Sequence, residues 1–248
     1  MSKTTRKHDP SQAGFTLVEL AIVMIIIGLL IGGVLKGQEL IANAQITATI
    51  SKMKGIDSAI ATFRDKYNAL PGDMANAVAR LPNCNAAPCN AAAGGTVGNG
   101  RIDTPALGAV PTLTSEGLVA FPQLAAADLI AGVSANNNTL AFGASLPEAP
   151  IGGGMWLGYT PNGAATGLGA ATLRPGHYLL LNGLIAVAGG TNGVLTPGQA
   201  GTIDRKIDDG QPSSGSVQSG GTGCINGAGA YDEAADSGLC SLYSRVQG

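Results

Sequence analysis

Aromatic side chains are scarce in this 248-residue sequence, with four Phe, five Tyr and one Trp beside 38 Gly and 13 Pro. So few large side chains exclude a thickly filled core, and the sequence predicts long loops around a thin one. A hydrophobic fraction of 45% is still ordinary for a chain of one or two folded domains and excludes a disordered tail. An excess of positive charge is missing too. Residues 1–14 hold Lys3, Arg6 and Lys7 against Asp9, leaving 11 positive and 15 negative residues, a net −4, in the rest. A mildly acidic body argues against binding nucleic acid through charge. Histidine is nearly absent. Beyond His8 there is only His177, and with no spaced partner it is expected to be a surface or satisfied residue. No HExxH, Walker phosphate loop, CxxC or paired zinc-ligand set occurs, so no catalytic set assembles and no enzyme is expected. The glycines Gly152–Gly154 and Gly167-Leu168-Gly169 lack the strand, helix and acidic residue of a dinucleotide site and read as loops.

What is present is a long apolar run. From Phe15 to Leu35 the sequence FTLVELAIVMIIIGLLIGGVL holds 21 residues with one charge, Glu19, and then meets Lys36. As a helix rising about 1.5 Å per residue, it spans the roughly 30 Å hydrocarbon core of a bilayer. At 21 residues it is longer than the apolar part of an ordinary secretory signal, about 7–15 residues, which argues against one. Lys3, Arg6 and Lys7 precede it, so the N-terminus stays cytoplasmic and everything after Lys36 is exported. A carboxylate in such a span costs a few kcal/mol near the bilayer centre and less near an end, so Glu19 requires a role. With Thr16 as N-cap it completes a capping box. Cutting between Gly14 and Phe15 would also free an amine able to pair with Glu19 of an adjacent chain, and the two roles are compatible. Gly28 with Gly32, and Gly33 with Gly37, give small-xxx-small spacings that allow close helix approach.

The run Gly14-Phe15-Thr16-Leu17-Val18-Glu19-Leu20 behind a short basic leader resembles the prepilin signature of type IV pilins and type II secretion pseudopilins. The resemblance implies cleavage by prepilin peptidase after Gly14, N-methylation of Phe15 and use of Glu19 to register subunits during assembly. It implies a structural subunit of a type IV pilus or pilus-like filament or, alternatively, a pseudopilin of a type II secretion pseudopilus. The implied partners are copies of the chain, other pilins or pseudopilins, prepilin peptidase and an inner-membrane assembly platform, with no nucleic acid outside a DNA-uptake role. The implied location is the bacterial inner membrane, as a single-pass precursor with an exported head, and then a surface pilus or a periplasmic pseudopilus. Where many major pilins carry a proline about 22 residues into the mature chain, Lys36 stands here, so the subfamily stays open.

Beyond Lys36 the pattern turns amphipathic. Ile46, Ile50, Met53, Ile56, Ile60, Phe63 and Tyr67 recur at threes and fours, and Pro71-Gly72 ends the helix, predicting one rod of roughly 80 Å from Phe15 to Asn68. Residues 70–111 read as a long loop. Ser115–Ser134 reads as two short helices or one kinked at Pro122. Strands are expected at Met155–Thr160, His177–Leu181 and Leu184–Ala188, the last two joined by Asn182-Gly183 as a hairpin. Thr196 as N-cap, Pro197 and Gln199 open a further helix that Gly210 and Pro212 stop. The fold class is α+β and pilin-like: a long N-terminal helix, half transmembrane and half amphipathic, packed on a small antiparallel sheet in a loop-rich head. The divisions are a cleaved leader (1–14), a membrane and filament-core helix (15–35), an amphipathic spine (36–69) and an exported head (70–248).

Cys84, Cys89, Cys224 and Cys240 permit three connectivities. Neighbour pairing would close one short loop and one longer loop, the longer stabilising by roughly 3 kcal/mol, and export favours an oxidising compartment. The segment around Cys224 and Cys240 resembles the disulfide-bonded C-terminal region of many pilins. Asp204, Asp208 and Asp209 gather at a predicted helix C-terminus, where they oppose the macrodipole, a misfit that a cation would relieve. A solvated acidic turn is the plainer reading. The resemblance to pseudopilins, some of which bind calcium, makes calcium the one cofactor candidate in a chain otherwise expected to hold none, with Asn99–Asp103 a still weaker candidate segment.

Overall fold

A computed structural model describes residues 14–91, 96–168, 173–186, 189–190, 192–235 and 239–246. The leader expected over residues 1–14 therefore lies, apart from Gly14, outside the described residues. The chain divides into two compact units, residues 1–43 and 44–248.

Helix α1 runs from Leu17 to Tyr67. No proline interrupts it, and its last turn carries Arg64 and Lys66, which suit the negative helix end. Asn68 takes a left-handed conformation (φ 47°) while its amide still donates to the Arg64 carbonyl, a helix stop that the short polar side chain tolerates. Within α1 no side chain before Ile46 is buried. From there Ile46, Ile50, Met53, Ile56, Ile60 and Phe63 are buried, the stripe predicted by their spacing, and they join one apolar core with the sheet residues of the second unit.

That core continues into a four-stranded antiparallel sheet. Its strands are β1 (Gly154–Thr160), β2 (Gly176–Asn182), β3 (Val217–Gly220) and β4 (Ser241–Arg245), in the order β1-β2-β4-β3. The first two are the predicted strands to within a residue. The predicted hairpin is not made. After Asn182 the described residues Leu184 to Ala186 leave the sheet, residues 187–188 lie outside the described residues, and β4 takes the place beside β2 with Leu181 opposite Leu242 and Leu180 opposite Tyr243. Burial decides the competition, because Leu242 and Tyr243 are both fully buried whereas Leu184 is 54% exposed. Asn182 does not turn the chain. Its side chain is buried, with Oδ1 accepting from Ser241 Oγ at 2.7 Å, and so fixes β2 to β4.

Helix α2 (Ala77–Arg80) is a single turn within the segment expected to be loop. Ser115–Ser134 yields one helix, α3 (Glu116–Ala126), with Pro122 inside it. Nearly every residue of α3 is buried, and a Cβ at Gly117 would lie 2.0 Å from the Leu157 carbonyl oxygen of β1. The helix therefore reaches the sheet only because position 117 has no side chain. Helix α4 (Pro197–Ile207) begins as predicted. Thr196 Oγ1 accepts from the Gln199 amide and Gln199 Oε1 from the Thr196 amide, a complete capping box. Disulfides join Cys84 to Cys89 and Cys224 to Cys240, all four cysteines being buried.

Candidate functional site

The first candidate is the start of α1. Gly14, Phe15, Thr16 and Glu19 are all exposed, Phe15 to 82%, and a Cβ on Gly14 would meet no atom within 4 Å. Among the described residues nothing therefore crowds the Gly14–Phe15 bond. Thr16 and Glu19 form the predicted box: the Thr16 amide donates to Glu19 Oε2 at 2.8 Å, its hydroxyl does the same at 2.8 Å, and the Glu19 amide donates to Thr16 Oγ1 at 3.3 Å. Glu19 Oε1 makes no hydrogen bond among the described residues. From Leu17 to Leu35 the large apolar side chains are exposed, Leu29 to 73%, in a helix long and apolar enough to cross a membrane. Such a surface needs a hydrocarbon or helical cover. Gly28, Gly32, Gly33 and Gly37 have open space where a side chain would be. Lys36 Nζ sits 2.7 Å from Glu39 Oε2, an exposed pair that adds little stability.

The second candidate is the acidic turn after α4. Asp204, Asp208 and Asp209 come together, with one ligand oxygen of each lying within 4.8 Å of the others. Asp204 is fully buried and the other two exposed. Burial pushes Asp204 up to about 6, against the lowering effect of hydrogen bonds from the Tyr231 hydroxyl and the Gly210 amide. Tyr231 reaches Asp204 Oδ2 at 2.9 Å and Ser219 Oγ at 3.1 Å, a link across 27 positions of sequence that no spacing rule signals. Asp208 Oδ2 accepts from the amides of Ser216 and Val217, and Asp209 accepts from the Gln211 amide and the Ser214 hydroxyl.

Asn99–Asp103 is satisfied by its own chain. The carboxylate of buried Asp73 accepts from the amides of Gly98, Asn99 and Gly100, and Asn99 Nδ2 donates to Asp103 Oδ2. His177 is likewise satisfied. Its Nε2 accepts from the Ile102 amide at 3.0 Å, its ring lies 5.0 Å from that of Tyr159, and burial holds its pKa below the usual value. Nearby stands Glu116, which sequence reading passes over as a helix-start residue. It is fully buried at the first turn of α3; Oε2 accepts from the amides of Asp103 and Thr104, while Oε1 has no partner. Burial first, and then the neighbouring Asp103 carboxyl, push it up to about 7.

Of these places, the start of α1 is the one that comparison with known proteins reaches. The prokaryotic N-terminal methylation motif matches residues 9–35, the prepilin-type signature of type IV pilin-like proteins. No curated protein and no solved structure matches the chain. The motif is that of a type IV pilin-like or pseudopilin substrate of prepilin peptidase, in a structural rather than an enzymatic family, and with the apolar helix behind it fits a membrane-anchored precursor.

Proposed function

We propose that the chain is a structural subunit of a type IV pilus or a pilus-like filament. Prepilin peptidase removes residues 1–14, Phe15 becomes the methylated N-terminus, and residues 15–35 pass from the inner membrane into the filament core. One observation carries this reading: the prepilin-type signature runs directly into an apolar helix segment with no buried residue, so its surface is left for other molecules. Within a bundle of such helices, the amine freed at Phe15 of one subunit pairs with Glu19 of its neighbour. Glu19 Oε2 is engaged with Thr16, which leaves Oε1 to receive that amine. Residues 36–69 then form the spine of an exported head carried by residues 70–248. The partners are copies of the chain, related pilins, the peptidase and an inner-membrane assembly platform.

Intact-mass and N-terminal peptide mass spectrometry, on protein sheared from the cell surface and on membranes, tests the reading. A methylated Phe15 terminus in the sheared fraction is expected. Processed protein confined to the membrane would instead point to a minor pilin or a type II secretion pseudopilin, and an uncut chain beginning at Met1 would overturn the whole reading.

A further inference from the structure

A cleft of about 480 Å³ opens where the start of β2, the end of β4 and the loop leading into β3 meet. That volume lies in the range of small-molecule sites. Two arginines line it. Arg174, two residues before β2, is exposed, and Arg245, the last residue of β4 and opposite Tyr178 of β2, is half-buried. The two converge on one place. The Tyr178 hydroxyl donates to the Arg174 carbonyl at 2.9 Å, and a Cβ at Gly176 would lie 3.5 Å from Arg245 Nε. Burial raises the pKa of that hydroxyl, and the charges of Arg245 and Arg174 both oppose the rise. Among the described residues neither guanidinium takes part in an ion pair. Half-buried Arg245 has thus given up part of its water without the bidentate, charge-assisted partner that its planar fork suits.

The rest of the lining is of a different kind. Ser213, Ser216, Gln218 and Asp208 bring hydroxyls, an amide and a carboxylate to the same cleft. Asp208 is held in place there, because its Oδ2 accepts from the amides of Ser216 and Val217. A small inorganic anion would be drawn by the arginines and repelled by Asp208. A molecule carrying one carboxylate and several hydroxyls suits both: its carboxylate accepts from the guanidiniums, and its hydroxyls donate to Asp208 and exchange hydrogen bonds with the serines and the amide. We propose that this cleft binds an acidic sugar of the uronic acid class, with the carboxylate on Arg174 and Arg245 and the hydroxyls on Asp208, Ser213, Ser216 and Gln218. Binding here needs no step at the N-terminus, so it stands or falls apart from leader removal and filament assembly.

The test uses the full chain in amine-oxide micelles, which carry neither sugar nor phosphate, and reads saturation transfer by NMR from the protein to glucuronate. Transfer is expected. Glucose, the same ring without the carboxylate, should bind at least about tenfold more weakly, and inorganic phosphate should displace glucuronate only at about tenfold higher concentration or more. Arg245→Gln should weaken glucuronate binding at least about tenfold, with fluorescence of the fully buried Trp156 reporting whether the head still folds. Because Arg245 is half-buried, the exposed Arg174→Gln serves as the second variant, expected to bind about tenfold more weakly while melting as the parent does. No transfer to glucuronate in the parent chain overturns the site, as does parental affinity in Arg174→Gln. Equal binding of glucose, or displacement by equimolar phosphate, overturns the acidic sugar as the ligand.

Discussion

The front and the rear of α1 both carry large apolar side chains, but use them in opposite ways. From Leu17 to Leu35 none is buried, and the apolar residues cover the helix all round; from Ile46 to Phe63 they form one stripe, and that stripe lies in the core. Apolarity alone is therefore a poor guide to what stabilises the fold. Its angular distribution decides, because a striped helix buries its apolar face within its own chain and an all-round apolar helix must find lipid or other helices. The front half should control where the chain goes and what it joins, and the rear half whether the head folds.

That separation can be broken in several places. The largest effect is expected from Glu19→Ala, which should abolish incorporation into sheared filaments while leaving membrane insertion, leader removal and head stability unchanged; normal filaments from this variant would sink the pairing with a neighbouring amine. Phe63→Ala removes a ring with no exposed surface and should cost about 4 kcal/mol in denaturant unfolding. The single Trp, Trp156, is fully buried in the head and reports that transition by fluorescence. Next come the disulfides. Replacing Cys224 and Cys240 with Ser should cost about 3 kcal/mol and replacing Cys84 and Cys89 about 2 kcal/mol, because the first pair closes the longer loop, 16 against 5 positions; equal losses would show that packing rather than loop entropy sets their value.

A smaller effect follows from Glu116. Its folded pKa, about 7, lies above the ordinary 4.5, so the folded state holds the proton more tightly than the unfolded one. Its contribution is fully present below about 4.5 and is lost as pH rises through about 7, a loss of roughly 1–2 kcal/mol. Denaturant midpoints at mildly acidic and mildly alkaline pH should show the decline in the parent chain and a flatter response in Glu116→Gln. The smallest effect is expected from Leu29→Ala, at a side chain 73% exposed, which should move head unfolding by under about 0.5 kcal/mol. A loss comparable to that of Phe63→Ala would break the division of labour altogether.

Where local pattern suffices, the sequence was legible. The Ile46 to Phe63 stripe, the capping boxes at Thr16 and Thr196, and strands β1 and β2 all depend on residues within a few positions of one another. The hairpin at Asn182-Gly183 failed for the complementary reason. A good turn signal competed with a strand some sixty residues later whose Leu242 and Tyr243 fill the core better, and no local rule weighs that alternative. Strands β3 and β4 were missed because they are short and lie in Gly- and Ser-rich surroundings, so their strand character comes from their partners. In the acidic turn the three aspartates were visible as a cluster, but Tyr231, 27 positions away, was not.

By itself the sequence determined the front of the molecule: the signature at residues 9–35, the apolar run from Phe15 to Leu35 and the lone carboxylate Glu19 are properties of consecutive residues and need no fold to exist. Only the tertiary structure decided the strand order β1-β2-β4-β3, the burial of Glu116 and the orphaned oxygen of Asp204. Those depend on which distant segments exclude water from one another, and the free energy of that exclusion belongs to the packed ensemble rather than to any stretch of chain.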